Sequence, residues 1–284
     1  MIAPELINAW LRAGEAAGAA HRLRVPRDAM RGHSGRCLGR HAGASVDFMD
    51  YRDYQPGDDP RGVDWHVFAR SDRLMMKLYR AEVNPHLDIV LDCSASMGVN
   101  EEKTQCAVKT AALLAAAALN AGCTWQCWRV AGGLARHGGA SQRASAWPAL
   151  VFSGASGLGL VRGGAVPLRR AGLRVVISDL WWDEPPEVCM QVLAQSAAIV
   201  TIVHILAEEE RAPAMHGPLR LRDSETEELL QLTVDAQTLA AYGQGLMRHC
   251  TAWEQACRRA QAHFVGLYGG AAVERMLCDA GVLE

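Results

Sequence analysis

At 284 residues the chain has room for one large domain or two small ones. Half of its residues are hydrophobic (50%) and 21% are charged, which excludes a disordered chain, and a net charge of −2 excludes a global field that recruits nucleic acid or membrane. The nine cysteines, an odd count scattered through apolar stretches, read as reduced core thiols of a cytoplasmic protein. Cys123 and Cys127 have no second pair and no nearby His, so they read as packing rather than half a zinc site. No apolar stretch is long enough for a direct membrane span, and the N-terminus lacks a signal-peptide core.

Taken in order, Ile2 to Ala20 predicts an amphipathic helix. Arg22, Arg24, Arg27, Arg31, Arg36 and Arg40 then form a basic stretch broken by Pro26 and several glycines. Without interleaved aromatics to stack bases, it reads as a solvated or intramolecularly docked arm rather than a nucleic-acid site. From Val46 to Glu82 come Asp47-Phe48, Tyr51 to Tyr54, Pro56-Gly57-Asp58-Asp59-Pro60-Arg61, Asp64-Trp65 and Ala69-Arg70. Pro56-Gly57 sets a turn, Arg52, Arg61 and Arg70 are candidates for bidentate carboxylate pairing, and Trp65 is an apolar anchor. On physical grounds this is a structural strap.

The segment Leu87 to Gly98 is the centre of the chain. Ile89-Val90-Leu91 has the length and β-branching of a buried parallel strand. It stops at Asp92, and Ser94 and Ser96 follow at alternate positions before a long helix over Glu101 to Ala121. One carboxylate and two hydroxyls thus sit where a central strand turns into a helix, the place where open α/β sheets bind ligands. Hard oxygen donors without His or Cys suit Mg²⁺, Ca²⁺ or Mn²⁺; the plainer reading is a strand-end Asp with Ser96 capping the helix.

Thr124 to Val130 predicts the second strand, Gly132 to Ala146 a loop, and Trp147 to Phe152 either a short helix or a strand. Leu173 to Ile177 is another buried strand, ended by Ser178-Asp179. Asp179 meets Asp92 if the two strands are neighbours; otherwise it caps the helix that follows near Pro185. Trp181-Trp182 is either an exposed docking patch or a lid on the core. Ala198 to Leu206 is a strand, Glu208 to Arg211 a solvated charge run, and Leu219 to Val234 a hairpin. Asp235 caps a helix to about Gln261, His263 to Tyr268 is the last strand, and Ala271 to Ala280 the closing helix. This alternation predicts an α/β fold with a doubly wound, mostly parallel sheet over 84–284, and an irregular N-terminal module over 1–83 packed on it.

Two resemblances sharpen the reading. The D-x-S-x-S spacing of Asp92, Ser94 and Ser96 is similar to the metal-ion-dependent adhesion site of von Willebrand factor A domains, a Rossmann-like fold. The longer ordered phrase of Asp47, Phe48, Arg52, Tyr54, Gly57, Asp58, Asp59, Arg61, Asp64, Trp65, Ala69, Arg70 and Glu82, then Asp92, Ser94, Ser96 and Met97, resembles the bacterial domain-of-unknown-function family number fifty-eight. The resemblance implies a von Willebrand A-like domain working with a MoxR-type AAA+ ATPase in assembly or maturation of a complex. It also implies a divalent ion, Mg²⁺ by preference, held by Asp92, Ser94, Ser96 and Asp179, with a carboxylate from a partner completing the shell. That family carries a third-loop Thr where this chain has Phe152 to Gly157 without one, so Ser156, or Ser153, is the candidate substitute. The expected function is therefore non-catalytic protein binding. The alternatives are a scaffold with a vestigial metal site, or an Mg²⁺-dependent phosphatase with Asp92 as nucleophile. The phosphatase pattern wants a second carboxylate two residues on, and this chain has Ser94 there.

Overall fold

The computed structural model describes residues 2–25, 48–79, 85–139, 142–159, 167–268 and 272–284. Asp47, Glu82 and most of the basic stretch, including Arg27, Arg31, Arg36 and Arg40, lie outside them. The chain divides into two units, residues 1–26 with 85–284, and residues 27–84. The first helix, α1 (Pro4–Gly18), falls in the larger unit, whereas the division read from the sequence puts it with the N-terminal module.

The smaller unit is a two-stranded antiparallel sheet, β1 (Phe48–Asp53) and β2 (Met75–Tyr79), with the short helix α2 (Trp65–Ser71) between them. The polar phrase builds it. Gly57 adopts φ 107°, which the turn after Pro56 requires. Asp58 accepts a two-pronged guanidinium from Arg52 at 2.6 and 2.7 Å and the Gln55 N–H at 2.9 Å. Asp64 caps α2 through the His66 and Val67 N–H groups and also accepts the Tyr51 hydroxyl at 2.8 Å and Lys77 at 3.1 Å. Asp59 accepts the Arg61 N–H, and the Tyr54 N–H donates to the Leu74 carbonyl. Arg61 and Arg70 are exposed, and Trp65 stands 59% exposed, edge-on to Phe68, rather than acting as a buried anchor.

The larger unit is built on a six-stranded sheet. In chain order its elements are β3 (His86–Asp92), α3 (Glu101–Asn120), β4 (Thr124–Val130), β5 (Leu134–Gly139), β6 (Leu173–Ser178), α4 (Pro186–Ala194) and β7 (Ile199–Leu206). The single turn α5 (Glu208–Arg211), the hairpin β8 (Gly217–Arg222) and β9 (Leu229–Val234), α6 (Ala236–Arg259), β10 (His263–Tyr268) and α7 (Val273–Asp279) complete it. The strand order is β10-β7-β6-β3-β4-β5, all parallel except β5. This is the doubly wound sheet expected, with its order reversing between β3 and β6. The hairpin β8–β9 forms a sheet of its own.

Within the six-stranded sheet, β5 is the strand that the sequence reading missed. Its Gly- and Arg-rich stretch lacks an apolar alternation, and backbone pairing to β4 at the sheet edge makes the strand. Trp147 to Phe152 is neither helix nor strand; a 3₁₀ turn, Ala144–Ala146, precedes it.

Strand alternation divides the core. Leu87, Ile89, Leu91 and Ile177 face α1, α3 and α7, while Val90 and Val176 face α4 and α6. The alanine-rich face of α3 lets α1 come close: a Cβ on Gly14 would lie 2.4 Å from the Lys109 carbonyl oxygen. Cys123 and Cys127 are buried thiols of this core, and burial pushes both upward in pKa. Among the described residues no helix is long and apolar enough to cross a membrane.

Candidate functional site

The reversal between β3 and β6 sets two acidic strand ends side by side. Leu91 pairs with Ile177, so Asp92 lies beside Ser178 and one residue short of Asp179. Asp92 shares the sheet face of Val90, turned toward α4 and α6, and is fully buried. Its Oδ1 accepts the Ser94 N–H at 2.9 Å. Its Oδ2 accepts the Ser178 hydroxyl at 2.6 Å and the Trp182 indole N–H at 2.8 Å. Burial and the nearby charge of Asp179 raise the Asp92 pKa against these three donors.

The turn after β6 aims the rest. Leu180 is left-handed, with φ 63°, a strained conformation for a bulky residue, and its N–H is held by Ser178 Oγ at 2.8 Å. The turn leaves Asp179 buried on one side and returns Trp182 to Asp92 on the other. The tryptophan pair therefore splits its roles: Trp182 lids the core against Trp253, whereas Trp181 is 39% exposed and stacks on His249. His204 of β7, fully buried, contacts the Asp179 carbonyl at 3.1 Å, and burial with the neighbouring His249 takes its pKa down to about 4.

Ser94 and Ser96 meet at 2.9 Å between their hydroxyl oxygens, in the loop leading into α3. Ser96 opens a 3₁₀ turn; the cap of α3 is Asn100, whose side chain accepts the Lys103 N–H. Lys103, on the first turn of α3, has a side chain with no exposed surface. Its ammonium donates to Asp179 Oδ2 at 2.7 Å, Glu210 Oε1 at 2.6 Å and the Ser96 carbonyl at 3.3 Å. Burial opposes its charge, but Asp179 and Glu210 more than offset that, and the net shift of its pKa is upward. Glu210 belongs to the stretch read as a solvated charge run. In the structure its second oxygen accepts the Ala207 N–H, and Glu209 accepts from Asn100. Position was the available signal for Lys103 and Glu210: each lies in the loop or first turn after a central strand.

Ser156 bonds to the turn after β6 and to the hairpin loop. Its hydroxyl donates to the Trp181 carbonyl at 2.8 Å, and its oxygen lies 3.0 Å from Glu225 Oε2, which also accepts the Ser156 N–H. The loop around it is joined to the serine loop through backbone bonds, Ala95 N–H to the Gly154 carbonyl and Ser153 N–H to the Cys93 carbonyl.

As folded, these groups are partnered within the protein. Both Asp92 oxygens are engaged by protein donors, Asp179 is paired with an ammonium, and the Ser156 hydroxyl is committed to Trp181 and Glu225. Mg²⁺ demands near-octahedral oxygen ligation, and an ion here has to compete with the Lys103 ammonium for Asp179. Among the described residues no group of three or more His, Cys, Asp or Glu side chains gathers as a metal site.

Residues 50–130, from β1 through β4, match the family model described as "Protein of unknown function DUF58", so the resemblance carried by the ordered phrase holds over that stretch. None of the curated proteins matches the sequence. Similar solved structures include the conserved hypothetical protein BatB from Bacteroides thetaiotaomicron, at 10% identity, TM-score 0.39, and coverage of 70% of this chain and 99% of that one. Another is a von Willebrand factor type A protein from Catenulispora acidiphila, at 13% identity, TM-score 0.37, and coverage of 72% of this chain and 42% of that one. A third is an aerotolerance-related membrane protein from Bacteroides fragilis NCTC 9343, at 12% identity, TM-score 0.39, and coverage of 70% and 97%. Likeness at this level carries nothing about activity or partners, and the α/β architecture rests on the strand order itself.

Proposed function

We propose that this chain is a non-catalytic, cytoplasmic protein-binding module whose docking face is the group of strand-end loops around Ser94 and Ser96. The observation that carries the reading is three exposed apolar side chains on the loops of that face. Val99, Val151 and Trp181 are exposed by 71%, 49% and 39%. A Cβ on Gly98 would lie 2.7 Å from Phe152 Cβ, which brings the Val99 and Val151 segments together, and Ser156 ties Trp181 to the same loops. Exposed apolar side chains on joined loops suit a protein interface where they form a continuous patch.

Catalysis by Asp92 is disfavoured by the same geometry, because a nucleophilic carboxylate needs a free oxygen and Asp92 has both engaged and buried. The family resemblance supports a MoxR-type AAA+ ATPase as partner, in assembly or maturation of another complex. Docking of a partner's acidic side chain through a bound divalent ion would require the ion to compete with Lys103 for Asp179.

The test is interferometry between the full chain and the MoxR-type ATPase of the same genome. The double variant Val99→Asp with Trp181→Ser is expected to weaken binding at least tenfold, and unchanged binding overturns the docking face. A phosphatase screen with Mg²⁺ tests the rest: sustained turnover abolished by Asp92→Asn overturns the non-catalytic reading.

A further inference from the structure

We propose that the Lys103 ammonium is the resident cation of this strand-end site, a tethered positive charge in place of the divalent metal that the Asp92-Ser94-Ser96 spacing suggests, so that the site is complete without metal. The inference concerns the chain alone and holds or fails whoever the partner is.

An ammonium has three protons and no lone pair, so a buried one needs three acceptors and a compensating negative charge. Lys103 has both. Asp179, Glu210 and the Ser96 carbonyl receive its three protons, at 2.7, 2.6 and 3.3 Å. These acceptors are hard oxygens from three separate segments: the β6 end, the turn α5 and the serine loop. Such a set, two carboxylates and a carbonyl, is what a protein otherwise assembles around Mg²⁺ or Ca²⁺.

The lysine is also held in place. Asn100 caps α3 beneath it, and Thr104 next to it donates to the Met97 carbonyl at 2.8 Å, which fixes the first turn of the helix against the serine loop. A divalent ion placed on the serine hydroxyls would meet this fixed positive charge across one residue, and it would have to take Asp179 from it.

The geometry separates two sets of groups. Asp92 and the serines are satisfied among themselves and by Ser178 and Trp182, while Asp179 and Glu210 are satisfied by Lys103. Removing the ammonium leaves Asp179, Glu210 and the Ser96 carbonyl as the oxygens around its place, a donor set that then suits a hard cation.

The experiment uses the full chain stripped with EDTA. Mn²⁺ binding is measured by electron paramagnetic resonance titration and by calorimetry, for the wild type and for Lys103→Met, which keeps the length of the side chain and removes its charge. The wild type is expected to bind no Mn²⁺ below 1 mM and to melt at the same temperature in EDTA and in Mg²⁺. Lys103→Met is expected to bind Mn²⁺ at least tenfold more tightly than the wild type and to melt higher with Mn²⁺ than with EDTA. Two outcomes overturn the proposal. One is stoichiometric Mn²⁺ or Mg²⁺ binding by the wild type that Ser94→Ala abolishes, which is decisive even where Lys103→Met does not fold. The other is a folded Lys103→Met, by circular dichroism, that binds Mn²⁺ no better than the wild type.

Discussion

Replacing Asp92 by Asn separates a buried structural hub from a metal ligand. The substitution keeps the shape and one acceptor oxygen, which can still take the Ser94 N–H. The amide nitrogen then occupies the place of Oδ2, facing the Ser178 hydroxyl and the Trp182 indole N–H. Ser178 can rotate and accept, but an indole N–H is a donor only, so Trp182 is left buried and unsatisfied. A hydrogen bond to a charged group is worth about 1.5–3 kcal/mol, and an orphaned buried donor costs about 1–3 kcal/mol. Against this, the variant no longer buries a charge next to Asp179, which returns part of the loss. The expected net destabilisation is about 2–3 kcal/mol for Asp92→Asn, and about 5 kcal/mol for Asp92→Ala, which strands all three donors. Urea unfolding followed by circular dichroism, in EDTA throughout, measures both. If Asp92→Asn unfolds within about 0.5 kcal/mol of wild type, the hub does not exist as described.

Three other outcomes follow from particular contacts. Gly14→Ala, which would stabilise an open helix by about 1 kcal/mol, is expected instead to destabilise by about 1–3 kcal/mol, because its Cβ would strike the Lys109 carbonyl; a rise in the melting temperature would contradict the close approach of α1 and α3. His204 has a folded pKa of about 4 against 6.5 unfolded, so the unfolded chain binds the extra proton and stability falls as pH drops through that window, by about 3 kcal/mol. His204→Asn removes that part of the slope, and parallel unfolding curves for the two proteins at pH 7 and pH 4.5 would refute it. In the smaller unit, Asp64→Ala is expected to expose the α2 amides to faster hydrogen exchange, whereas Trp65→Ala leaves the exchange rates unchanged and alters stability by no more than about 0.5 kcal/mol.

Local sequence was enough for the sheet. The runs Ile89 to Leu91 and Leu173 to Ile177 are strands because β-branched, uninterrupted apolar residues bury on both faces, and helical periodicity between them forces parallel crossovers. It also placed Asp92 and Asp179 at strand ends, but that the two strands are neighbours, which brings these residues together, was decided by the strand order. β5 escaped because its pairing depends on a neighbour, β4, rather than on its own residues. What the four polar residues do there was decided in three dimensions. Lys103 and Glu210 lie 107 positions apart, and each alone reads as a solvated charge; only the wound sheet brings Glu210 and Asp179 together on Lys103, where a buried charge must find its opposite. Trp182 is the same case, since no pattern in Trp181-Trp182 says which indole turns inward, and the left-handed turn at Leu180 settles it. Spacing along the chain specifies which groups arrive at a sheet edge, and long-range packing specifies which of them are left free to bind anything.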